Sequence, residues 1–270
     1  MNRLRREKQE MVLNLLVEGT GINSVVRLTG VSKNAILRLI KRVGKRCEMS
    51  LDNNLQGLWS EAIECDEIWT YVGKHQKRLL PHEQGNGQGD QYVFVAFDRD
   101  TKLIPVFRVG QRDSHTAYQF MQELRRRVIN TFQLTTDMFT GYRHTVPANF
   151  GMNIHYAQLK KLYHGDGTGR EGYSPAALKG VRVSTMIGLP DRKKICTSYV
   201  ERQNLTIRMQ LRRFARLTNA ASKKLENLQA ALAIHFWYYN FMRVHQSLGM
   251  TPAMKAGITT QRWTWDYVLC

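Results

Sequence analysis

Apolar positions recur along the chain with two periods, and the change between them divides it. From residue 1 to about 46 the period is helical. Met11, Leu15 and Leu16 mark one face of a first amphipathic helix. Val25, Leu28, Val31, Ile36, Leu37 and Ile40 then fall where two further helices would share a core around a turn at Thr29-Gly30-Val31. Ser32 is placed to cap the second of these helices. This is helix-turn-helix spacing. It leaves Ser32, Lys33, Asn34 and Arg38 exposed near the start of that helix, where phosphates and base edges are met. A three-helix bundle that binds nothing is the bland reading of the same pattern.

Residues 47–60 are polar and predict a linker. Beyond them the period shortens. Ile63 to Val72, Gln91 to Asp98, Lys102 to Val109 and Phe132 to Asp137 read as strands, with a turn at Asp98-Arg99-Asp100-Thr101 and with Pro105 marking an edge or bulge. Ser114 is expected to cap a helix carrying Ala117, Met121, Leu124 and Val128 on one face. The Gly-rich stretch of about 165–194, with Pro175 and Pro190, predicts a long loop, unusual inside a compact domain unless functional. Two long helices follow, one over about 199–216. The other starts near Ser222 and carries Leu225, Leu228, Leu232, Phe236 and Tyr239. Thr251-Pro252 reads as a cap with proline at the first helical position. The domain plan is therefore a helical domain over 1–46, a linker over 47–60, an α/β domain over 61–258 with a loop insertion at about 165–194, and a tail over 259–270.

Charge narrows the partner. Of 270 residues, 40 are Lys or Arg and 22 are Asp or Glu, a net charge of +18 spread along the chain. That favours a polyanion, most simply nucleic acid, over a membrane surface. No apolar run is long enough to span a bilayer. The charged N-terminus lacks the apolar centre of a signal peptide, so a cytoplasmic, nucleoid-associated protein is expected. The four cysteines form no Cys-x-x-Cys pair and indicate neither a zinc finger nor a disulfide framework. Cys65 is expected to be buried. The histidines lack ligand spacing, and His235 and His245 read as packing or DNA-contact residues.

Within this basic chain three acids stand out. Asp66 interrupts an apolar strand, Asp137 ends another, and Glu201 lies in the first turn of a basic helix. A buried strand seldom holds a carboxylate, because an unpaired buried charge is costly. A divalent cation would neutralise such a set. Each acid alone could instead be doing local electrostatic work at a strand or helix end. Carboxylates suit Mg²⁺ or Mn²⁺, and two such ions can activate an attacking oxygen and stabilise a leaving one in phosphodiester transfer. Asp66, on the central strand, is the expected bridging ligand. Glu201, Leu205, Arg208 and Arg212 fall on one stripe of a continuous helix, with Asn204 beside it. Arg208 and Arg212 are thus expected to grip phosphates, and Asn204 to face the DNA. Among rival acids, Asp98 and Asp100 suit a turn, Glu67 points to the opposite face from Asp66, and Asp191 is the alternative to Glu201.

At these residues the chain resembles the DDE transposases of insertion sequences, in particular the IS-one-type family. The resemblance rests on Cys65-Asp66-Glu67-Ile68-Trp69-Thr70-Tyr71-Val72-Gly73-Lys74, on Thr136-Asp137, and on Thr197-Ser198-Tyr199-Val200-Glu201-Arg202-Gln203-Asn204. The segment from Tyr239 to Leu248, followed by Thr251-Pro252, is also similar to the end of many transposases and integrases. The resemblance covers roughly 60–258. It implies an RNase H-like α/β fold, with a five-stranded mixed sheet flanked by helices. It also implies two-metal Mg²⁺ chemistry, with Mn²⁺ as substitute, on transposon ends and target DNA. Asp66, Asp137 and Glu201 match the family's acids, at spacings of 71 and 64 residues. Relatives often carry a zinc-binding segment before the helix-turn-helix; no cysteine precedes Cys47 here. The expected partner is double-stranded DNA, bound by a homodimer or higher homo-oligomer. Two alternatives stay open: a helix-turn-helix regulator derived from an inactive transposase, and a nuclease that cuts without joining.

Overall fold

The computed structural model describes residues 4–83, 85–163, 178–216 and 218–269. It is a mixed α/β structure. Three helices come first, α1 (Arg6–Val17), α2 (Ile22–Thr29) and α3 (Lys33–Asn54). Gly30 ends α2 in the left-handed region at φ +69°, the conformation that lets a helix stop without a Cβ clash. Ser32 caps α3 by accepting from the Ala35 N–H at 3.3 Å.

The sheet has six strands where five were expected: β1 (Ala62–Val72), β2 (Gly89–Asp98), β3 (Phe107–Gly110), β4 (Gln133–Thr136), β5 (His155–Tyr163) and β6 (Leu178–Ile187). They lie in the order β3-β2-β1-β4-β5-β6. β1 is central, antiparallel to β2 and parallel to β4. β4 is parallel to β5, and the outer pairs β2–β3 and β5–β6 are antiparallel. On one face α4 (Ser114–Arg127) and α5 (Thr140–Phe150) bury Phe120 and Tyr142 against Phe94 of β2. On the other lies α6 (Ser198–Gln210). α7 (Leu225–Phe241) and the short helices α8 (Pro252–Lys255) and α9 (Asp266–Leu269) complete the chain.

Several expectations change. The polar segment from residue 47 is helical as far as Asn54, because Cys47, Leu51 and Leu55 are buried at helical spacing. Residues 178–187 form β6 instead of loop; the part of the expected loop over 165–177, with Pro175, lies outside the described residues. β3 is shorter than expected. Next to Pro105, which cannot donate, the buried Asn240 amide takes over strand-like pairing by accepting from the Ile104 N–H and donating to the Ile104 carbonyl. α5 and β5 were not foreseen. Asp113, not Ser114, caps α4, and α7 starts at Leu225 without a Ser222 cap. Thr251 caps α8 ahead of Pro252 as expected. Within the expected tail, Trp263 and Trp265 pack on Trp237, with ring centroids 5.9 and 5.6 Å away.

The first three helices are seated on the α/β body. α3 lies along α7, and Gly44 lets the backbones approach so closely that a Cβ there would stand 2.5 Å from the Ala230 Cβ and 2.8 Å from its carbonyl oxygen. Trp237 donates to Ser50, and Trp265 to Asn14. Among the described residues no helix is long and apolar enough to cross a membrane.

This crossing sets a test. In an unobstructed helix, Gly→Ala stabilises by roughly 0.5–1 kcal/mol. Here overpacking should outweigh that gain and leave Gly44→Ala less stable by about 1–3 kcal/mol. Thermal unfolding reads the sign; a raised melting temperature would refute the close approach.

Candidate metal centre

The register of β1 and β4 brings the first two acids together. Cys65 is level with Thr136 in this parallel pair, so Asp66 and Asp137 are the next residues on each side. Cys65 faces away into the core, wholly buried, and burial raises its thiol pKa. Asp137 lies just past the end of β4. Its Oδ1 accepts from the Phe139 N–H at 2.9 Å, which turns the chain toward α5.

The third acid is delivered by a helix that is tied to the same strand. Glu64, two residues before Asp66 and on the same face, is 1% exposed. Its Oε2 accepts from the backbone N–H groups of Tyr199 at 2.9 Å and Val200 at 3.0 Å. A carboxylate on the free amides at a helix start satisfies orphan donors and matches the helix dipole. α6 is thereby fixed over β1 with Glu201 in its first turn. Asn204, one turn on, donates to Asp66 Oδ2 at 2.8 Å.

Asp66, Asp137 and Glu201 all line one open cleft of about 570 Å³, with Arg112, Thr197, Lys160 and Lys161. Within it the spacing is uneven. Carboxylate oxygens of Asp66, Glu67 and Asp137 lie within 4.8 Å of one another, and Glu201 stands outside that group. Glu201 accepts from Thr197 Oγ1 at 2.8 Å and is paired with Lys161. Glu67 does leave β1 on the opposite face from Asp66, where Tyr142 donates to it. Its carboxylate nevertheless reaches the Asp137 side, and Arg112 bridges the two, Nε to Glu67 at 3.1 Å and Nη2 to Asp137 at 3.0 Å.

Crowding and burial show in the titration of these groups. Burial foremost, then the charges of Asp137 and Glu201, push Asp66 up to about 6, against the Asn204 hydrogen bond. Burial, then Asp137, pushes Glu67 to about 7. Burial pushes Glu64 to about 7 although two backbone amides favour its charge. Clustered oxygen ligands that resist their own ionisation fit a hard divalent cation.

The remaining expectations divide. Asp191 is a local cap, accepting from the Lys193 N–H, and does not line the cleft. Ser32, Lys33, Asn34 and Arg38 are exposed on α3. Asn204 is buried and donates to Asp66. The expected arginine stripe breaks: α6 ends at Gln210, so Arg212 lies in a following tight turn and off the Glu201 face. Arg208 is half-buried and donates to the Phe214 carbonyl at 3.3 Å. His235 is wholly buried among α7 side chains, and burial drives its pKa down to about 3. Sequence reasoning missed Glu64, Arg112 and Lys161. Only Glu64 left a signal, a second acid two residues from Asp66 on one strand face.

No protein-family model matches the chain, and no curated protein does. Among solved structures it is similar to complexes of the Mos1 transposase. With the Mos1 mariner paired end complex with Mn it shares 12% identity over 58% of this chain and 59% of that one, at a TM-score of 0.24. With the Mos1 Strand Transfer Complex it shares 12% over 88% of this chain and 77% of that one, at 0.26. The chain thus spans about 59% of the length of the first.

The raised Asp66 pKa predicts a pH dependence. Between its ordinary value of 3.8 and about 6 the folded protein binds more protons here than the unfolded chain does. This contribution to stability therefore falls as pH rises through that window. In metal-free buffer Asp66→Asn should melt close to wild type near pH 4 and higher at pH 8, by the equivalent of about 1–3 kcal/mol. Equal melting shifts at the two pH values would contradict this.

Proposed function

We propose that the protein is a DNA transposase, a divalent-metal-dependent enzyme that binds transposon ends and cuts and joins DNA strands. The observation that carries the reading is the convergence of Asp66, Asp137 and Glu201, from two neighbouring strands and a helix, on one open cleft. A regulator that only binds DNA has no use for a carboxylate cluster in which burial, and then the charges of Asp137 and Glu201, raise Asp66 to about 6. The family resemblance supports the same residues in the same order.

In this reading Asp66 and Asp137 hold Mg²⁺, or Mn²⁺ in its place, and Glu201 and Glu67 complete the carboxylate set. Such ions, when bound, lower the pKa of an attacking hydroxyl and stabilise the leaving oxygen. The protein's own groups do the rest. Glu64 positions α6 so that Glu201 faces the cleft. Asn204 fixes the orientation of the Asp66 carboxylate at the cleft wall. Lys160 and Lys161 supply positive charge to a DNA backbone at the rim. The exposed face of α3, with Lys33, Asn34 and Arg38, is the proposed end-recognition surface, and Ser32 sets its first turn. The net charge of +18 adds non-specific attraction.

Asp66→Asn, Asp137→Asn and Glu201→Gln should each lower Mg²⁺-dependent cleavage by more than about 100-fold, since loss of even an outer-sphere partner costs 10–100-fold. DNA affinity in metal-free buffer should persist. Wild-type cleavage by any one of them removes that residue from the centre, and cleavage without joining by the native protein identifies a nuclease.

Because α3 is built into the body, deleting the first helices would open the core. The recognition surface is better tested with Lys33→Ala and Arg38→Ala. Each lost phosphate contact should lower the magnitude of the salt slope of binding by roughly 1. Unchanged slopes and unchanged end preference in both variants would place recognition elsewhere.

A further inference from the structure

Two of the cleft's cations are held by the carboxylates that a metal would need. Arg112 Nη2 lies 3.0 Å from Asp137 Oδ2, and its Nε lies 3.1 Å from Glu67. Lys161 Nζ sits on Glu201 Oε2. The two come from opposite sides: Arg112 from the loop between β3 and α4, Lys161 from β5. Asp66 accepts from the neutral amide of Asn204.

We propose that Arg112 and Lys161 are exchangeable counter-ions, displaced from the acids when divalent metal binds and then free to hold DNA phosphates. This rests on the metal-dependent reading above. It makes metal binding and DNA binding mutually reinforcing.

The charge balance gives the direction. The two side chains pair with the carboxyl groups of Glu67, Asp137 and Glu201 and offset part of the charge that develops there, which keeps the cluster together. A divalent ion on Asp137 or Glu201 must compete for oxygens already occupied. Once it has them, each displaced cation becomes surplus positive charge beside the bound metal, and a phosphate is the ligand that satisfies it. The geometry permits the exchange. The Arg112 side chain is 38% exposed and its guanidinium lies 4.4 Å from the centre of the Phe139 ring. A flat cation on an aromatic face can pivot there without losing that contact. Its planar fork then matches two phosphate oxygens. Lys161 is reached through the same open cleft.

The exchange is read with metal and DNA titrated separately. Arg112→Gln keeps a donor for Glu67 while removing charge, and Lys161→Ala tests the second cation independently. Mn²⁺ uptake by DNA-free protein is followed by loss of the free-ion paramagnetic resonance signal, with thermal unfolding as the check on folding. Both variants should bind Mn²⁺ several-fold to about tenfold more tightly than wild type. Duplex affinity is then measured without and with Ca²⁺. Ca²⁺ should tighten DNA binding by the wild type, and by the variants at least several-fold less. Mn²⁺ affinity equal to or below wild type in both variants overturns the proposal. So does a Ca²⁺ enhancement of DNA binding that neither substitution reduces. If Asp66→Asn takes up Mn²⁺ as well as the wild type, it is the metal site itself that fails, a result distinct from either of these.

Discussion

Like charges gathered in a half-buried cleft repel, and much of the local structure serves to hold them together. Asp66, Glu67 and Asp137 bring oxygens within 4.8 Å of one another at the middle of the sheet. Three kinds of restraint oppose their separation. Backbone pairing fixes Asp66 and Asp137 through the β1–β4 register. Neutral donors, Asn204 on Asp66 and Tyr142 on Glu67, favour the ionised forms. Cations from two sides, Arg112 and Lys161, neutralise part of the charge. Burial and repulsion still dominate, which is why Asp66 and Glu67 titrate well above ordinary carboxylates. Under the proposed metal-dependent reading, a divalent cation would relieve the repulsion that Arg112 and Lys161 neutralise only in part.

Glu64 extends the same logic to the helix layer. It is buried as deeply as a core residue, yet it is not a member of the cleft. Its oxygen takes two amide protons from the start of α6. One strand face therefore carries two acids with different work. Glu64 attaches the helix, and Asp66 meets the side chain the helix brings.

How much of this was legible in the sequence varies with the kind of contact involved. Asp66 and Asp137 were legible because charge is conspicuous against apolar strand neighbours, and Glu201 because acids are expected at a helix start. Strand β6 was not: all its described positions are exposed or half-exposed, so Lys179, Arg182 and Val183 leave no alternation to read. The end of α6 was hidden for a tertiary reason. Leu211 and Phe214 continue the apolar spacing, but both turn into the core only because the chain leaves the helix at Leu211, at φ −111° and ψ 102°. The stripe joining Glu201 to Arg212 was thus an inference from periodicity that packing cancelled. The helical stretch to Asn54 was readable, since Cys47, Leu51 and Leu55 keep an i, i+4 rhythm beneath the polar residues. Arg112 had no signal at all. Its role depends on a loop returning past the end of β4, a contact between residues 25 apart.

The helix that carries Glu201 also packs against the turn that follows α1. The start of α6 is fixed over β1 by Glu64. Its far end meets the turn after α1, where Gly19, at φ +82°, would place a Cβ 2.6 Å from the Met209 carbonyl oxygen. Only a residue without a side chain, and with left-handed freedom, fits that gap. α3 is separately clamped along α7 at Gly44. The exposed face of α3 and the acid cleft are thus positions on one packed body, connected through α6 and α7 and not through a flexible tether. A duplex held by α3 would meet the cleft at a distance set by helix packing.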